Sequence, residues 1–597
     1  MKPEHVNKYK LPVLMLVIMI LFVSISFAGC LEQSFLSLGK TPTPPEEENK
    51  VEENEKTQEE IERELELQRQ LEEERKREER RLREEALKVE LGTFYVPLPP
   101  EDLEDNPPVK AKGIYLTGNT VGLKDRFNNL LNLVSTTELN AMVIDVKNDH
   151  GHVTHPSKIE IVLEINASRS APIKDMEQVM AELKERDIYP IARIVVFKDP
   201  YLAEKRPEWA IQSKRGGIWR DNKGVAWINP YQKEVWDYNI AIAKEAALLG
   251  FKEIQFDYVR FPENAAKVDR EANYPGENGT AKDDAIKNFL IYAREQLEEY
   301  NVHIAADTFG VIATSWGDSD RIGQNWEKIA PVVEYNCPMI YPSHYGPGYF
   351  GFPVPDANPA GTINRALTDA IKRNAPIENP GIIRPWLQSF TAAWVPGYIP
   401  YGAKEVRLQI DTAMELGIDE FLIWNAGNRY IKESFLTEEE AKKREESIKT
   451  AREEKGHDVL GATSTKALEV FLAAIRKGDW REAMVYHSTG FTMDHDAYKA
   501  WVDSWTGKLS SYKIVSSSQD QEADKKIYTA NLTFNVNGEN IELNGETFEV
   551  FIENHIWRVK PFQDFMDMLT QGRLAEPAQE PEPKTAPGQE EQGREQE

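Results

Sequence analysis

Eight short apolar runs alternate with helix-period segments between residues 109 and 435. They fall at residues 113–117, 141–146, 190–196, 252–256, 303–306, 337–341, 381–387 and 420–424. Amphipathic stretches such as 176–186, 284–300, 363–373 and 403–416 separate most of them. Strands that alternate this regularly with helices call for an α/β fold with a parallel sheet, and eight of them fit a (β/α)8 TIM barrel. A doubly wound open sheet is the alternative. It is disfavoured because the stretch from Gly113 to Gly122 lacks the G-x-G-x-x-G spacing of a dinucleotide loop.

The flanks read differently. Lys2, Lys8 and Lys10 precede an apolar run at 11–28, followed by Gly29-Cys30. That order is a basic n-region, an h-region and a small-residue cleavage site. It resembles a lipoprotein signal, with Cys30 as the lipidated residue. The run also has the length of an uncleaved anchor. Either way the remainder is expected outside the cell, held at the outer face of the membrane.

Residues 31–108 form a tether and a charged helical stalk. Ile61, Leu65, Leu71, Leu82 and Leu87 are too sparse for a regular coiled-coil seam, while opposite charges three and four apart support a solvated helix. A spacer is expected, with a coiled coil and self-association as the second reading. After the barrel, 436–460 is a charged linker and 461–565 reads as two helices followed by strands. The latter resembles, in outline, the nuclear-transport-factor-2-like (NTF2-like) fold. The Glu-, Gln- and Pro-rich tail 566–597 is expected to be disordered.

Composition narrows the partners. Seventy-two Lys and Arg against 99 Asp and Glu leave a net charge of −27, which argues against nucleic acid. Two cysteines, Cys30 and Cys337, are too few for a disulfide framework.

In a (β/α)8 barrel, function gathers where strands end and βα loops begin. Those ends carry Asp145, Lys147 and Asp149 at the second run, Asp257 and Arg260 at the fourth, and Asp307 at the fifth. Tyr341 and His344 stand at the end of the sixth run, and Trp424-Asn425 at the end of the eighth. Recurrent carboxylates beside aromatic and amide side chains suit a sugar site. Glycoside hydrolysis needs one carboxyl to protonate the leaving oxygen and another to attack the anomeric carbon or activate water. Trp227, Trp316, Tyr341, Trp386, Trp394 and Trp424 are candidates for stacking on pyranose faces. His150, His152 and His155 lie close in sequence but lack a specific metal-ligand spacing, so no metal and no cofactor are expected.

The runs VIDVKND, ARIVVFKDP, QFDYVRFP, DTFG, PMIYPSHY and WNAGN resemble a glycosyl-hydrolase-like (β/α)8 barrel family otherwise known as a domain of unknown function. The resemblance implies action on a polysaccharide. On this reading Asp257 and Asp307 are the catalytic pair, and either can be the acid. Arg260 holds Asp257 ionised. Asp145, Lys147, Asp149, Arg260, Tyr341, His344, Trp424 and Asn425 bind substrate. A surface-anchored glycoside hydrolase is the leading expectation. A non-catalytic carbohydrate-binding barrel and a structural envelope lipoprotein are the alternatives.

Overall fold

The computed structural model describes residues 57–488, 495–504, 507–519, 524–536 and 538–561. The expected anchor with Cys30, and the tail expected to be disordered, lie outside the described residues. The chain divides into two units, Met1–Arg80 and Arg81–Glu597. What is described of the first is helical, part of the helix Gln58–Leu91. There Ile61, Leu65 and Leu71 are exposed, and Arg75 pairs with Glu79 four residues on.

The second unit opens with a closed barrel of eight parallel strands. These are β1 (Lys112–Leu116), β2 (Ala141–Lys147), β3 (Tyr189–Val195), β4 (Glu253–Asp257), β5 (His303–Phe309), β6 (Tyr335–Ile340), β7 (Trp386–Gln388) and β8 (Phe421–Trp424). Each pairs with its successor, and β8 closes on β1 with Lys112 opposite Phe421. All eight expected strands are present, with ends shifted by a few residues. The seventh is the most altered: the pair Ile382–Ile383 is followed by a break at Arg384-Pro385.

β4 shows why the barrel forms. Its sequence EIQFD alternates polar and apolar, yet all five residues are buried. Ile254 and Phe256 join the apolar layer beneath the helices. Glu253, Gln255 and Asp257 are the other face and point to the interior, where each meets a partner. At the lower end Arg384 pairs with Glu253 at 2.8 Å and Glu420 at 2.8 Å, its guanidinium 3.5 Å from the Tyr335 ring centroid. Burying such charges is tolerable only because each is paired.

Beyond the barrel, helix Glu438–Glu454 leads to an α+β region. Helices Ser464–Lys477, Trp480–Tyr486 and His495–Asp503 accompany an antiparallel sheet ordered β9 (Leu509–Gln519), β10 (Lys525–Val536), β11 (Glu539–Glu553), β12 (Ile556–Pro561). The third helix has no counterpart in the sequence reading. Asn544-Gly545, a usual turn signal, falls inside β11. The structure absorbs the pair as a bulge instead: the register shifts between Ala530 and Leu532, and Gly545, at φ +80°, donates its N–H to Asn531 Oδ1.

This region packs on the barrel. Arg558, fully buried, donates to the carbonyls of Val485 on its own side and Ala375 on the barrel's. Trp316, in the loop after β5, has the guanidinium groups of Arg373 and Arg481 at 4.1 Å and 4.4 Å from its ring centroid.

Candidate active site

The C-terminal ends of the strands enclose a cavity of about 510 Å³ whose lining includes Arg193, Asp257, Arg260, Asp307, Tyr341, His344, Trp386 and Trp424. Asp257 and Asp307 come from neighbouring strands. The β4–β5 register sets Phe256 beside Ala306, so the next residues of the two strands are these two acids.

Their surroundings differ. Asp257 is ion-paired: Arg193 Nε donates to Asp257 Oδ2 at 2.8 Å, and Nη2 donates to the same oxygen. The N–H of Tyr258 donates to Oδ1. Tyr258 makes that bond at φ +49°, a conformation rare for a bulky residue and one that gathers at functional sites.

Asp307 is 2% exposed and has no cation of its own. Burial, then the charge of Asp257, push its carboxyl well above the usual range. Oδ1 accepts from Gln255 Nε2 at 2.8 Å and from Trp386 Nε1 at 2.6 Å. With Oδ1 occupied by two donors, the proton of the neutral acid belongs on Oδ2. Just past the end of β5, Gly310 leaves no room for a larger residue, since a Cβ there would stand 2.5 Å from the Met339 carbonyl oxygen.

Arg193 also donates to Asp145 Oδ1 at 2.6 Å, and Tyr115 Oη donates to Asp145 Oδ2 at 2.7 Å. Tyr115 stacks on Trp424 with centroids 4.0 Å apart. Tyr341 lines the cavity near both acids. Burial, then the charges of Asp307 and Asp257, raise its hydroxyl well above the usual value, so it remains a donor. His344 lies at the exposed rim, with Ser343 Oγ 3.1 Å from its Nδ1.

Several expected roles are corrected. Arg260 is not the ion-pair partner of Asp257. Its Nη2 donates to Glu263 Oε1 at 2.8 Å, and its guanidinium lies 4.3 Å from the Phe309 centroid. It does line the cavity.

Lys147 is not available to substrate. The β2–β3 register slips between Asp145 and Lys147, so a residue that strict alternation would turn inward turns out beneath the helices. There it is fully buried, 2.7 Å from Asp199 Oδ2 and 2.8 Å from Asn239 Oδ1. Asp145 has both oxygens engaged and acts on Asp257 through Arg193.

Asn425 is a loop brace. Its Nδ2 donates to the Ser389 carbonyl, and its Oδ1 accepts the Gly427 N–H at 2.9 Å. Asp149 is not among the residues lining the cavity and lies 3.4 Å from Lys198 Nζ. Burial raises its carboxyl, but Lys198, Arg193 and His150 outweigh that and hold it below the usual range. The three histidines of the second loop differ in setting. His150 is exposed, whereas His155 is buried, 3.1 Å from Glu245 Oε2.

Arg193, Tyr115 and Gln255 escape the sequence reading, which looks only past the strand ends. The signal for Arg193 was a single cation inside the apolar run ARIVVF, since a buried cation needs carboxylate partners.

A closed parallel barrel with two differently placed acids in one polar and aromatic cavity is a (β/α)8 barrel with a strand-end site. The chain belongs to the family described as "Putative glycosyl hydrolase domain", whose model matches residues 113–430. Among solved structures it is similar to a hypothetical protein from Ruminiclostridium thermocellum, at 43% identity over 32% of this chain and 96% of that one, with a TM-score of 0.30. It is also similar to the PgaB (BpsB) glycoside hydrolase domain from Bordetella bronchiseptica, at 12% identity over 60% and 100% of the two chains, with a TM-score of 0.39. The α-galactosidase TtGalA from Thermus thermophilus shows 14% identity over 58% and 63%, with a TM-score of 0.35. No curated protein matches.

Proposed function

We propose that the chain is a glycoside hydrolase acting on an extracellular or envelope polysaccharide, with Asp307 as general acid and Asp257 as nucleophile. The observation that carries this is the opposed setting of two adjacent carboxyls: one ion-paired to Arg193, the other buried and pushed well above the usual carboxyl range by burial and by Asp257. Pairs driven apart in this way divide into acid and base roles. Oδ2 of Asp307 delivers its proton to the glycosidic oxygen as the bond breaks. Asp257 attacks the anomeric carbon, and water then hydrolyses the glycosyl-enzyme with Asp307 as base.

Retention of configuration is part of the reading. Neighbouring strands lie about 4.8 Å apart, which favours the roughly 5–5.5 Å carboxyl spacing of retaining enzymes over the wider inverting one. Tyr341, which lines the cavity, bonds a sugar hydroxyl on this reading. The test is reducing-end release from polysaccharides, with the anomer of the first product followed by NMR. An α to β change, or the reverse, counts against Asp257 as nucleophile.

The remaining sequence expectations belong to the same proposal. The basic, apolar and Gly-Cys order of residues 1–30 supports export and retention at the membrane, by lipidation of Cys30 or by an uncleaved span. The charged helix Gln58–Leu91 supports a spacer, with self-association through it as the second reading. Three helices with a four-stranded antiparallel sheet suit an NTF2-like region in an accessory role. Labelling with radioactive palmitate, compared with a Cys30→Ala variant, separates the two anchors.

A further inference from the structure

Of the six aromatic residues singled out for sugar stacking, Trp394 alone is strongly exposed, at 67%. It sits in the segment 389–402 that joins β7 to helix Ala403–Glu415, and that segment is pinned. Asp356, fully buried, accepts from Gln388 Nε2 at 3.0 Å, and its carbonyl accepts the Tyr401 hydroxyl at 3.0 Å. The Tyr401 N–H donates to Thr391 Oγ1 at 3.0 Å. Turns close from Val395 N to Ala392 O and from Tyr398 N to Val395 O. A large indole is therefore presented to water by a held backbone.

One face of Trp394 lies on Phe390, with centroids 6.0 Å apart and rings 17° from parallel. Phe390 meets Tyr341 edge-on at 5.9 Å and His344 at 6.5 Å. Those two line the catalytic cavity. Tyr398, 42% exposed, is on the same segment. The aromatic surface is thus continuous from the cavity to solvent.

We infer that Phe390 and Trp394 form an outer sugar-stacking platform, and that the substrate is a linear glycan chain running from the cavity across it. The inference rests on the hydrolase reading for what occupies the cavity. An exposed indole stacks on the apolar face of a pyranose, and a pinned loop lowers the ordering cost of binding. A site for one terminal sugar has no use for rings two steps outside its cavity.

The test measures binding of chitohexaose, cellohexaose and mannohexaose, and of the matching disaccharides, to the full chain by calorimetry. At least one hexasaccharide is expected to bind about tenfold more tightly than its disaccharide, from stacking at the outer rings. Trp394→Ala should erase that difference without weakening the disaccharide, and Trp394→Phe should retain most of it. Failure of every hexasaccharide to bind, or equal binding by Trp394→Ala and the parent, overturns the platform. Trp394-dependent binding without turnover leaves the platform standing and counts against the hydrolase. Turnover with binding indifferent to Trp394 does the reverse.

Discussion

Arg193 grips Asp257 through Nε and Nη2 on a single carboxylate oxygen, and with Nη1 it holds Asp145 at 2.6 Å. One buried cation thus organises two strand-end acids. Replacing it with Met leaves both acids buried without a cation, at a cost of about 3–5 kcal/mol. Lysine cannot reproduce the forked geometry, so Arg193→Lys is expected to fold but to lose most turnover. Urea denaturation with kcat on the same samples checks both outcomes. An Arg193→Lys variant as active as the parent would remove Arg193 from the account.

Asp307 gives a pH prediction with a definite sign. Its folded carboxyl is raised by burial and by Asp257, so the folded state holds a proton that the unfolded chain releases. The stability this contributes is complete below the unfolded carboxyl range and is lost as pH rises through the folded value. Asp307→Asn cannot ionise. Its melting temperature should therefore exceed the parent's at alkaline pH and approach it in acid. Melting curves from acid to alkaline pH decide this. Parallel curves for the two proteins would show that Asp307 is not raised.

Lys147 tests the correction to its role. Lys147→Met strands the Asp199 carboxylate in the interior and should destabilise by about 3–5 kcal/mol. The double variant Lys147→Met with Asp199→Asn should recover part of that loss. Below its melting temperature the single variant should keep the parent KM, because Lys147 is sealed from the cavity. A raised KM at unchanged stability would return Lys147 to substrate binding.

The eight strands were legible because their apolar face must meet the helices, whatever the interior holds. The acids Asp257 and Asp307 were legible because barrel strands end where loops begin. The partners were not. Arg193 and Gln255 lie within strands, and only closure of the barrel turns them toward the two acids. The bulge after Asp145 was hidden as well, since VIDVK carries no glycine or proline to mark it, and it reversed the direction of Lys147. Arg260 misled by proximity: three residues after Asp257, it bonds forward to Glu263.

Arg558 joins the sheet region to the barrel through the Val485 and Ala375 carbonyls. Burial depresses its guanidinium to about 10. Arg558→Met removes donors from buried acceptors and is expected to lower stability by about 1–3 kcal/mol. Thermal unfolding should then separate into two transitions by calorimetry. A single transition at the parent temperature would show that the two regions do not depend on this link.

The most direct test of the central claim is reducing-end release from envelope and extracellular polysaccharides by the parent, Asp307→Asn and Asp257→Asn. The account predicts release by the parent and a loss of at least about 100-fold in each variant, the scale of general-acid and nucleophilic contributions. Release by Asp307→Asn at the parent rate would contradict it.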